Sequence, residues 1–275
     1  MTRAFKTGPS KTAPSKTAPS KTGPLTARPS PNFNARAAGT DISMLILHYT
    51  NMADTEAALA RLCDPASEVS AHYLIARDGE VFALVDEAAR AWHAGVSAWQ
   101  GLRDINSASV GIELDHLGHD ANGHMAAYPP AQMAALVDLS KAIIARHNIA
   151  SDKVLGHSDV APGRKIDPGE ALDWAALAEA GVGLWPEAAE PEEVATLKSG
   201  DATPAVAALQ QALRAYGYDI AHDGVFGAQM MAVISAFQRH FRPSCVDGQA
   251  DGETQTLVYA VCRAQAALDR GSVSP

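Results

Sequence analysis

The chain has 275 residues, enough for one domain with a full hydrophobic core and a smaller companion domain. It holds 22 Lys and Arg against 31 Asp and Glu, yet residues 1–40 contain seven of the basic residues and none of the acidic ones. The remainder is therefore strongly acidic and would repel a phosphate backbone, which argues against nucleic acid as a partner.

Membrane, secretory and disulfide signals are all missing from the sequence. No apolar run approaches the roughly 20 residues of a transmembrane segment, and the N-terminus lacks the apolar centre of a secretory signal. Three cysteines (Cys63, Cys245 and Cys262) are too few and odd in number for a disulfide scaffold or a cysteine-ligated zinc module. Cys245 and Cys262 could pair in an oxidising compartment, although unpaired thiols are favoured.

A five-residue repeat opens the chain. Residues 6–24 read KTGPS, KTAPS, KTAPS, KTGP, in which the lysines repel one another and the prolines interrupt helices and sheet ladders. The pattern predicts a disordered basic Lys/Thr/Pro/Ser repeat tail over residues 1–40, with ordered structure starting near Asp41. A solvated spacer is favoured over an electrostatic tether to an anionic polymer or membrane.

The next segment predicts strands and one helix. SMLILHY is typical of a central strand covered on both faces, with His48 near its end. TEAALARLCD predicts a helix, and AHYLIARDGEVFALV predicts a hairpin that turns at Asp78-Gly79. ASVGIELDH alternates as a further strand, so Glu113 points away from its apolar face.

Helices follow. Residues 129–148 carry prolines at the start and apolar residues at helical spacing, and a short helix follows Trp174. Residues 41–185 are therefore predicted to form an α/β fold with a mixed central β-sheet flanked by helices. An acidic linker at 186–196 leads to a small C-terminal helical bundle at 197–265, in which a D-G-x-x-(G/D)-x-x-(T/M) element occurs twice.

The loop GHSDVAPGRKIDPG, residues 156–169, gathers groups that suit metal chemistry. His157 and Asp167 can both point inward only if the loop folds around something, and His48 at a strand end is the natural third ligand. Two histidines and one carboxylate make an open zinc (Zn²⁺) site with room for water, which suits hydrolysis. Glu113 is placed to take the proton of that water, and Lys165 to stabilise an oxyanion.

Each of these residues also has an ordinary explanation. His48 could be packed or hydrogen-bonded, Asp167 could be a turn residue before Pro168, and Glu113 could belong to a salt bridge. Lys165 and Arg164 could be solvated surface charges. Five further histidines compete as ligands, namely His72, His93, His116, His119 and His124. What favours the metal site is the joint occurrence of all four chemical roles.

The motifs ILHYT, SAHYLIARDGEV, WHAG, SVGIEL and GHSDVAPGRKIDPG occur in this order over residues 41–185. The segment resembles the zinc-dependent N-acetylmuramoyl-L-alanine amidases of the type 2 amidase family, whose fold is shared with peptidoglycan recognition proteins. The resemblance implies zinc ligation by His48, His157 and Asp167, with Glu113 as general base and Lys165 supporting the transition state. It also places four residues where relatives line or support the substrate groove, with core packing as the alternative: Tyr73, His72, Trp92 and His93.

Residues 197–262 resemble the small helical peptidoglycan-binding domain that often follows such amidases, through LQQALRAYGY, HDGVFG and AFQRHF. Together the resemblances imply cleavage of the amide between N-acetylmuramic acid and the L-alanine of the stem peptide, in intact peptidoglycan or in muropeptides, the 1,6-anhydro form included. The alternative is a recognition protein that binds muropeptide without cutting it. The substrate implies the periplasm or cell envelope, with the cytoplasm as the alternative because no signal peptide is visible.

Overall fold

The computed structural model describes residues 25–187 and 190–271. The strands are β1 (Thr26–Ala27), β2 (Phe33–Ala35), β3 (Met44–Tyr49), β4 (Tyr73–Ile75), β5 (Val81–Ala83), β6 (Ala89–Ala91), β7 (Ser109–Leu114) and β8 (Val154–Gly156). The helices are α1 (Thr55–Cys63), α2 (Ile105–Ala108), α3 (Pro130–His147), α4 (His157–Val160), α5 (Trp174–Glu179), α6 (Pro204–Tyr216), α7 (Ala228–Phe241) and α8 (Gly252–Gly271). The predicted tail repeat at 6–24 lies outside the described residues and stays a prediction.

Six strands form the central sheet in the order β1-β5-β4-β7-β3-β8. Strand β3 runs parallel to both of its neighbours, whereas β4 and β5 are antiparallel and form the predicted hairpin. Gly79 in that hairpin has a φ of 91°, a conformation that glycine adopts without steric cost. The predicted mixed sheet flanked by helices, followed by a helical bundle, is confirmed.

The two faces of β3 belong to different cores. Leu45 and Leu47 pack with α3 in one apolar cluster, while Met44 and Ile46 pack in a second cluster with the C-terminal helices. Because side chains alternate along a strand, His48 lies on the face that points towards the C-terminal helices. Glu113 of β7 is in register with His48 in the parallel pair and therefore shares that face.

Residues 25–40 are ordered, so the prediction that structure begins near Asp41 is wrong for this segment. Strand β1 pairs with β5, and β2 pairs with β6. Arg36 donates hydrogen bonds to the carbonyls of Glu87, Asn106 and Ser107. The two strands are two and three residues long, and their side chains are largely exposed, so the sequence shows no hydrophobic pattern there. Backbone pairing and polar contacts hold the segment in place instead.

The sequence repeat in the C-terminal helices is also a structural repeat. The buried side chain of Gln210 donates to the Asp223 carboxylate at 2.8 Å and accepts from the backbone N–H of Gly224 at 2.8 Å. A second copy makes the same two bonds, at 3.0 and 2.8 Å, with Gln238, Asp247 and Gly248. A buried helical glutamine thus anchors each Asp-Gly loop to the bundle.

The bundle packs directly on the sheet domain. The ring of Trp99 lies edge-on between Tyr216 and Tyr218, with centroids 5.2 and 5.0 Å away. The ring of Trp174 stacks on His240 of α7 at 3.8 Å. Trp99 and the two tyrosines belong to the same apolar cluster as Met44 and Ile46 of β3, whereas Trp174 belongs to the cluster on the other face of the sheet. Within residues 25–187 and 190–271, no helix combines the length and apolar character needed to cross a bilayer.

Candidate metal centre and active site

The fold places His48 and His157 side by side. His48 comes directly after Leu47, and His157 directly after Gly156, and these two preceding residues are register partners in the parallel strands β3 and β8. The carboxyl ends of parallel strands meet at one edge of a sheet, which is where functional groups gather. The backbone carbonyl of Asp167 accepts from the N–H of Ser158 at 2.9 Å, and this bond folds the loop back over the strand ends.

Three ligand atoms form a small triangle. His48 Nδ1 lies 2.9 Å from His157 Nδ1 and 3.0 Å from Asp167 Oδ2, and His157 Nδ1 lies 2.9 Å from the same oxygen. The three residues are almost fully buried, at 1%, 3% and 8% exposure. All three predicted metal ligands therefore converge on one point.

The tautomers of the two histidines follow from their outer partners. The Ser109 hydroxyl donates to the Ile105 carbonyl, so its oxygen is left to accept from His93 Nε2 at 3.2 Å. His93 Nδ1 is then the acceptor for the N–H at His48 Nε2, 3.0 Å away, which leaves the His48 Nδ1 lone pair free. His157 Nε2 donates to the Ala94 carbonyl at 3.0 Å, so its Nδ1 lone pair is free as well. Metal-bound histidines are commonly oriented by such outer hydrogen bonds.

The chemistry of this donor set fits a divalent cation. Two nitrogen lone pairs and a carboxylate oxygen at contact distance repel one another unless a positive charge lies between them. Burial together with the neighbouring His157 lowers the pKa of His48 to about 4, so this imidazole is neutral near pH 7. Neutral imidazoles and an ionised carboxylate are the forms that bind zinc.

Glu113 stands next to the triangle on the same sheet face. Its Oε2 is buried and has no hydrogen-bond partner among the described residues. Burial, with a smaller contribution from the Asp167 charge, raises the pKa of Glu113 to about 8, and Lys165 opposes this shift. A carboxyl group with a pKa near neutrality is suited to exchanging protons in a reaction.

A cavity of about 610 Å³ opens in front of these groups. Both Glu113 and Lys165 line it, as do the predicted groove residues Trp92 and His93. Gly111 makes room for the His93 ring, since a Cβ there would lie 2.5 Å from its Cγ. The cavity has the size of a small-molecule site and exposes the candidate proton-transfer groups to a ligand.

Two other predicted groove residues do not line the cavity, and for them the structure favours core packing, the alternative that the sequence left open. The hydroxyl of Tyr73 donates to Glu87 at 2.7 Å, and the ring packs in the cluster on the opposite face of the sheet. His72 is fully buried, where its Nδ1 accepts from the N–H of Gly111 at 2.9 Å. Their neighbours in the sequence matched the family motif, but strand alternation and burial remove both from the cavity.

Arg164 has a role that sequence reasoning missed. Its guanidinium donates to the Ala94 carbonyl at 2.6 Å and to the Val96 carbonyl at 2.9 Å, and so fixes the backbone that holds His157. A charged residue in a glycine-containing loop gives no sequence signal for such backbone contacts. The competing histidines are engaged away from the site: His116 bonds the Ala126 carbonyl, and His119 pairs with Glu170. His124 lines a different cavity.

The fold and the donor set together define a metal-dependent hydrolase. Residues 38–170 match the family model described as "N-acetylmuramoyl-L-alanine amidase". Residues 202–257 match the family model described as "Putative peptidoglycan binding domain". The N-acetylmuramoyl-L-alanine amidase AmiD of Escherichia coli (strain K12) is 39% identical over 237 residues, spanning 82% of this chain and 84% of AmiD. The chain belongs to the N-acetylmuramoyl-L-alanine amidase family.

Solved structures agree with this assignment. The complex of AmiD from Escherichia coli with the substrate anhydro-N-acetylmuramic acid-L-Ala-D-gamma-Glu-L-Lys superposes with a TM-score of 0.72 and 37% identity, covering 83% of this chain and 92% of that chain. AmpDh3 of Pseudomonas aeruginosa in complex with anhydromuramic pentapeptide superposes with a TM-score of 0.69 and 35% identity, covering 82% of this chain and 93% of AmpDh3. The similarity therefore extends over both the sheet and the C-terminal helices.

Proposed function

We propose that this protein is a zinc-dependent amidase that hydrolyses the bond between N-acetylmuramic acid, its 1,6-anhydro form included, and the L-alanine of the stem peptide. The observation that carries the proposal is the convergence of three ligand atoms beside the unpartnered Glu113 carboxyl group in an open cavity. A recognition protein needs a groove, but it has no use for a buried proton acceptor next to a metal site.

The residues divide the reaction between them. His48, His157 and Asp167 would hold the zinc ion, which supplies Lewis-acid polarisation of the amide carbonyl and acidifies a water molecule. Glu113 takes the proton of the attacking water at its carboxylate and passes it to the alanine nitrogen. The bond between the lactyl carbonyl carbon and that nitrogen breaks, giving a free carboxylate and a free amine.

Lys165 supports the charge that develops on the carbonyl oxygen. It lines the cavity together with Glu113, and it acts on both Glu113 and His48 through its positive charge. A fixed cation near a forming oxyanion stabilises the transition state more than the neutral ground state. Lys165 is therefore the proposed electrostatic partner of the reaction.

The relatives support the substrate class. AmiD has been captured with an anhydro-muramyl tripeptide, and AmpDh3 with an anhydromuramic pentapeptide. In this chain, Trp92 and His93 line the cavity where such a ligand would lie. Wall binding by residues 197–265 would increase residence on an insoluble polymer, and a wall substrate favours the periplasm or cell envelope over the alternative, the cytoplasm.

The direct test is mass spectrometry of purified muropeptides incubated with the protein, with and without a zinc chelator. We expect release of a stem peptide that begins with L-alanine, its loss with chelator, and its return on adding zinc. Binding without cleavage by folded, zinc-loaded protein would contradict the amidase proposal and favour the recognition protein instead.

A further inference from the structure

A second cavity, here called the bundle cleft, lies where the active-site loop meets helix α7. It has a volume of about 310 Å³. Three residues of the loop, Gly163, Lys165 and Ile166, line both the bundle cleft and the active-site cavity. A ligand in the active site therefore has a direct route along this loop onto the C-terminal bundle.

Arg239 is the cation that α7 contributes to the bundle cleft. The side chain is half-buried, its Nε is shielded from solvent, and it makes no hydrogen bond or ion pair with any residue the structure describes. The acidic group that acts on it, Glu170, is already paired with His119 at 2.6 Å. By contrast, Arg242 one turn later binds Asp251 at 2.9 Å and Glu253 at 2.6 Å.

Asp247, on the rim of the bundle cleft, does not supply the missing partner. Its carboxylate accepts from Gln238 at 3.0 Å and from the backbone N–H of Gln249 at 2.9 Å, as part of the repeated Asp-Gly loop. The Nε–H of this guanidinium is buried without a hydrogen-bond partner among the described residues, so its desolvation is not offset inside the protein. An external anion with a planar, bidentate oxygen pair would satisfy it.

We propose that the bundle cleft binds a carboxylate of the stem peptide through Arg239, so that the C-terminal bundle forms part of the substrate site as well as a wall-binding module. The inference rests on the proposed function. Muropeptides carry the required group: in the tripeptide ligand of AmiD, the γ-linkage of D-glutamate leaves its α-carboxylate free, and the terminal Lys carries another. Lys165, shared by both cavities, links carboxylate binding to the reaction centre.

The test uses four synthetic anhydro-muramyl tripeptides: the free acid, the D-glutamate α-amide, the C-terminal amide and the double amide. We expect Arg239→Gln to raise KM about 10-fold for the free acid with kcat within about twofold, since a charge-assisted hydrogen bond contributes to binding at this scale. Arg239→Gln should no longer raise KM for the peptide in which the carboxylate bound by Arg239 is replaced by an amide. That peptide therefore identifies the carboxylate that Arg239 binds. Arg239→Lys should fall between the two, because an ammonium ion keeps the charge without the fork.

The matched control is Arg214→Gln, which removes an exposed guanidinium of α6 that lines neither cavity. It should leave all four KM values unchanged. An equal change for all four peptides, or none, in a folded Arg239→Gln protein would overturn the inference. Calorimetric binding of the same peptides to Glu113→Gln and to its double variant with Arg239→Gln must give the same pattern. If wild type cleaves none of the peptides, the proposed amidase function fails, while this binding series still decides the role of Arg239.

Discussion

The molecule buries two histidine–aspartate groups that each include residues of the loop at 156–169 but differ in purpose. At the metal centre, His157 and Asp167 face a third ligand atom with no proton between them. Two residues after His157, Asp159 accepts from His240 of α7 at 2.8 Å and from the Tyr218 hydroxyl at 2.8 Å. One group faces the substrate cavity, and the other joins the bundle to the sheet domain.

The difference lies in how the acceptor atoms are satisfied. Asp159 also accepts the N–H of Gly156 at 2.8 Å, so all of its close partners donate protons, and no cation is required. The metal-centre atoms instead present lone pairs to one another because their outer nitrogens already donate to other groups. Residue type alone therefore does not identify a metal site, whereas the direction of the donors does.

The largest expected effect comes from removing a metal ligand. His157→Ala should lose both bound zinc and turnover, because even outer-shell changes around metals cost about 10–100-fold and loss of a ligand costs more. Zinc content by plasma mass spectrometry and hydrolysis of anhydro-muramyl tripeptide provide the two readouts. Full activity of a zinc-free His157→Ala protein would remove the metal from the proposed mechanism.

Removing the proton acceptor should separate metal binding from catalysis. Glu113→Gln keeps the shape of the side chain, so zinc content should stay at the wild-type level while turnover falls about 10²–10⁴-fold, the usual contribution of general acid–base catalysis. Lys141→Gln, a charge change on α3, is a suitable surface control for preparation effects. Retained turnover in Glu113→Gln would assign proton transfer to another group.

Breaking the second histidine–aspartate group should change stability instead. Asp159→Ala leaves the buried His240 and Tyr218 donors without their acceptor, and each buried donor left unsatisfied costs about 1–3 kcal/mol. Urea unfolding followed by circular dichroism measures the loss, and the folded fraction should still bind zinc. If unfolding were unchanged but zinc were lost, Asp159 would instead be a support of the metal centre.

Sequence reasoning reached the sheet, the long helix and the convergence of the ligands because each has a local signal. The strand pattern of SMLILHY places His48 at a strand end, and the hairpin turn is marked by Asp78-Gly79. The short strand β8, which brings His157 next to His48, was not predicted, since three residues carry too little pattern. Arg36 and Arg239 were missed for a different reason: their roles depend on partners, or the lack of them, across long sequence separations.

The smallest expected effect is a pH dependence of stability, which we expect at the metal centre and not at the Asp159–His240 group. Burial and the Asp167 charge raise the pKa of Glu113 to about 8 in the folded, metal-free protein, against an ordinary value near 4.5. Between pH 4.5 and pH 8, the Glu113 carboxyl group is protonated in the folded state and ionised in the unfolded chain. The stabilisation is thus complete below about pH 4.5, and it is lost as the pH rises towards 8.

Glu113→Gln removes this titration while His48, whose lowered pKa acts below pH 6.5 in the opposite direction, stays in both proteins. The test compares the two proteins in the presence of chelator. The free energy of unfolding of Glu113→Gln, minus that of wild type, should increase by about 2 kcal/mol from pH 5 to pH 8. Tyr218→Phe, at the bundle interface, should show a pH-independent loss of about 1 kcal/mol. A flat difference for Glu113→Gln would mean that its carboxyl group is already ionised in the folded protein, and that the proton acceptor needs no metal to be charged.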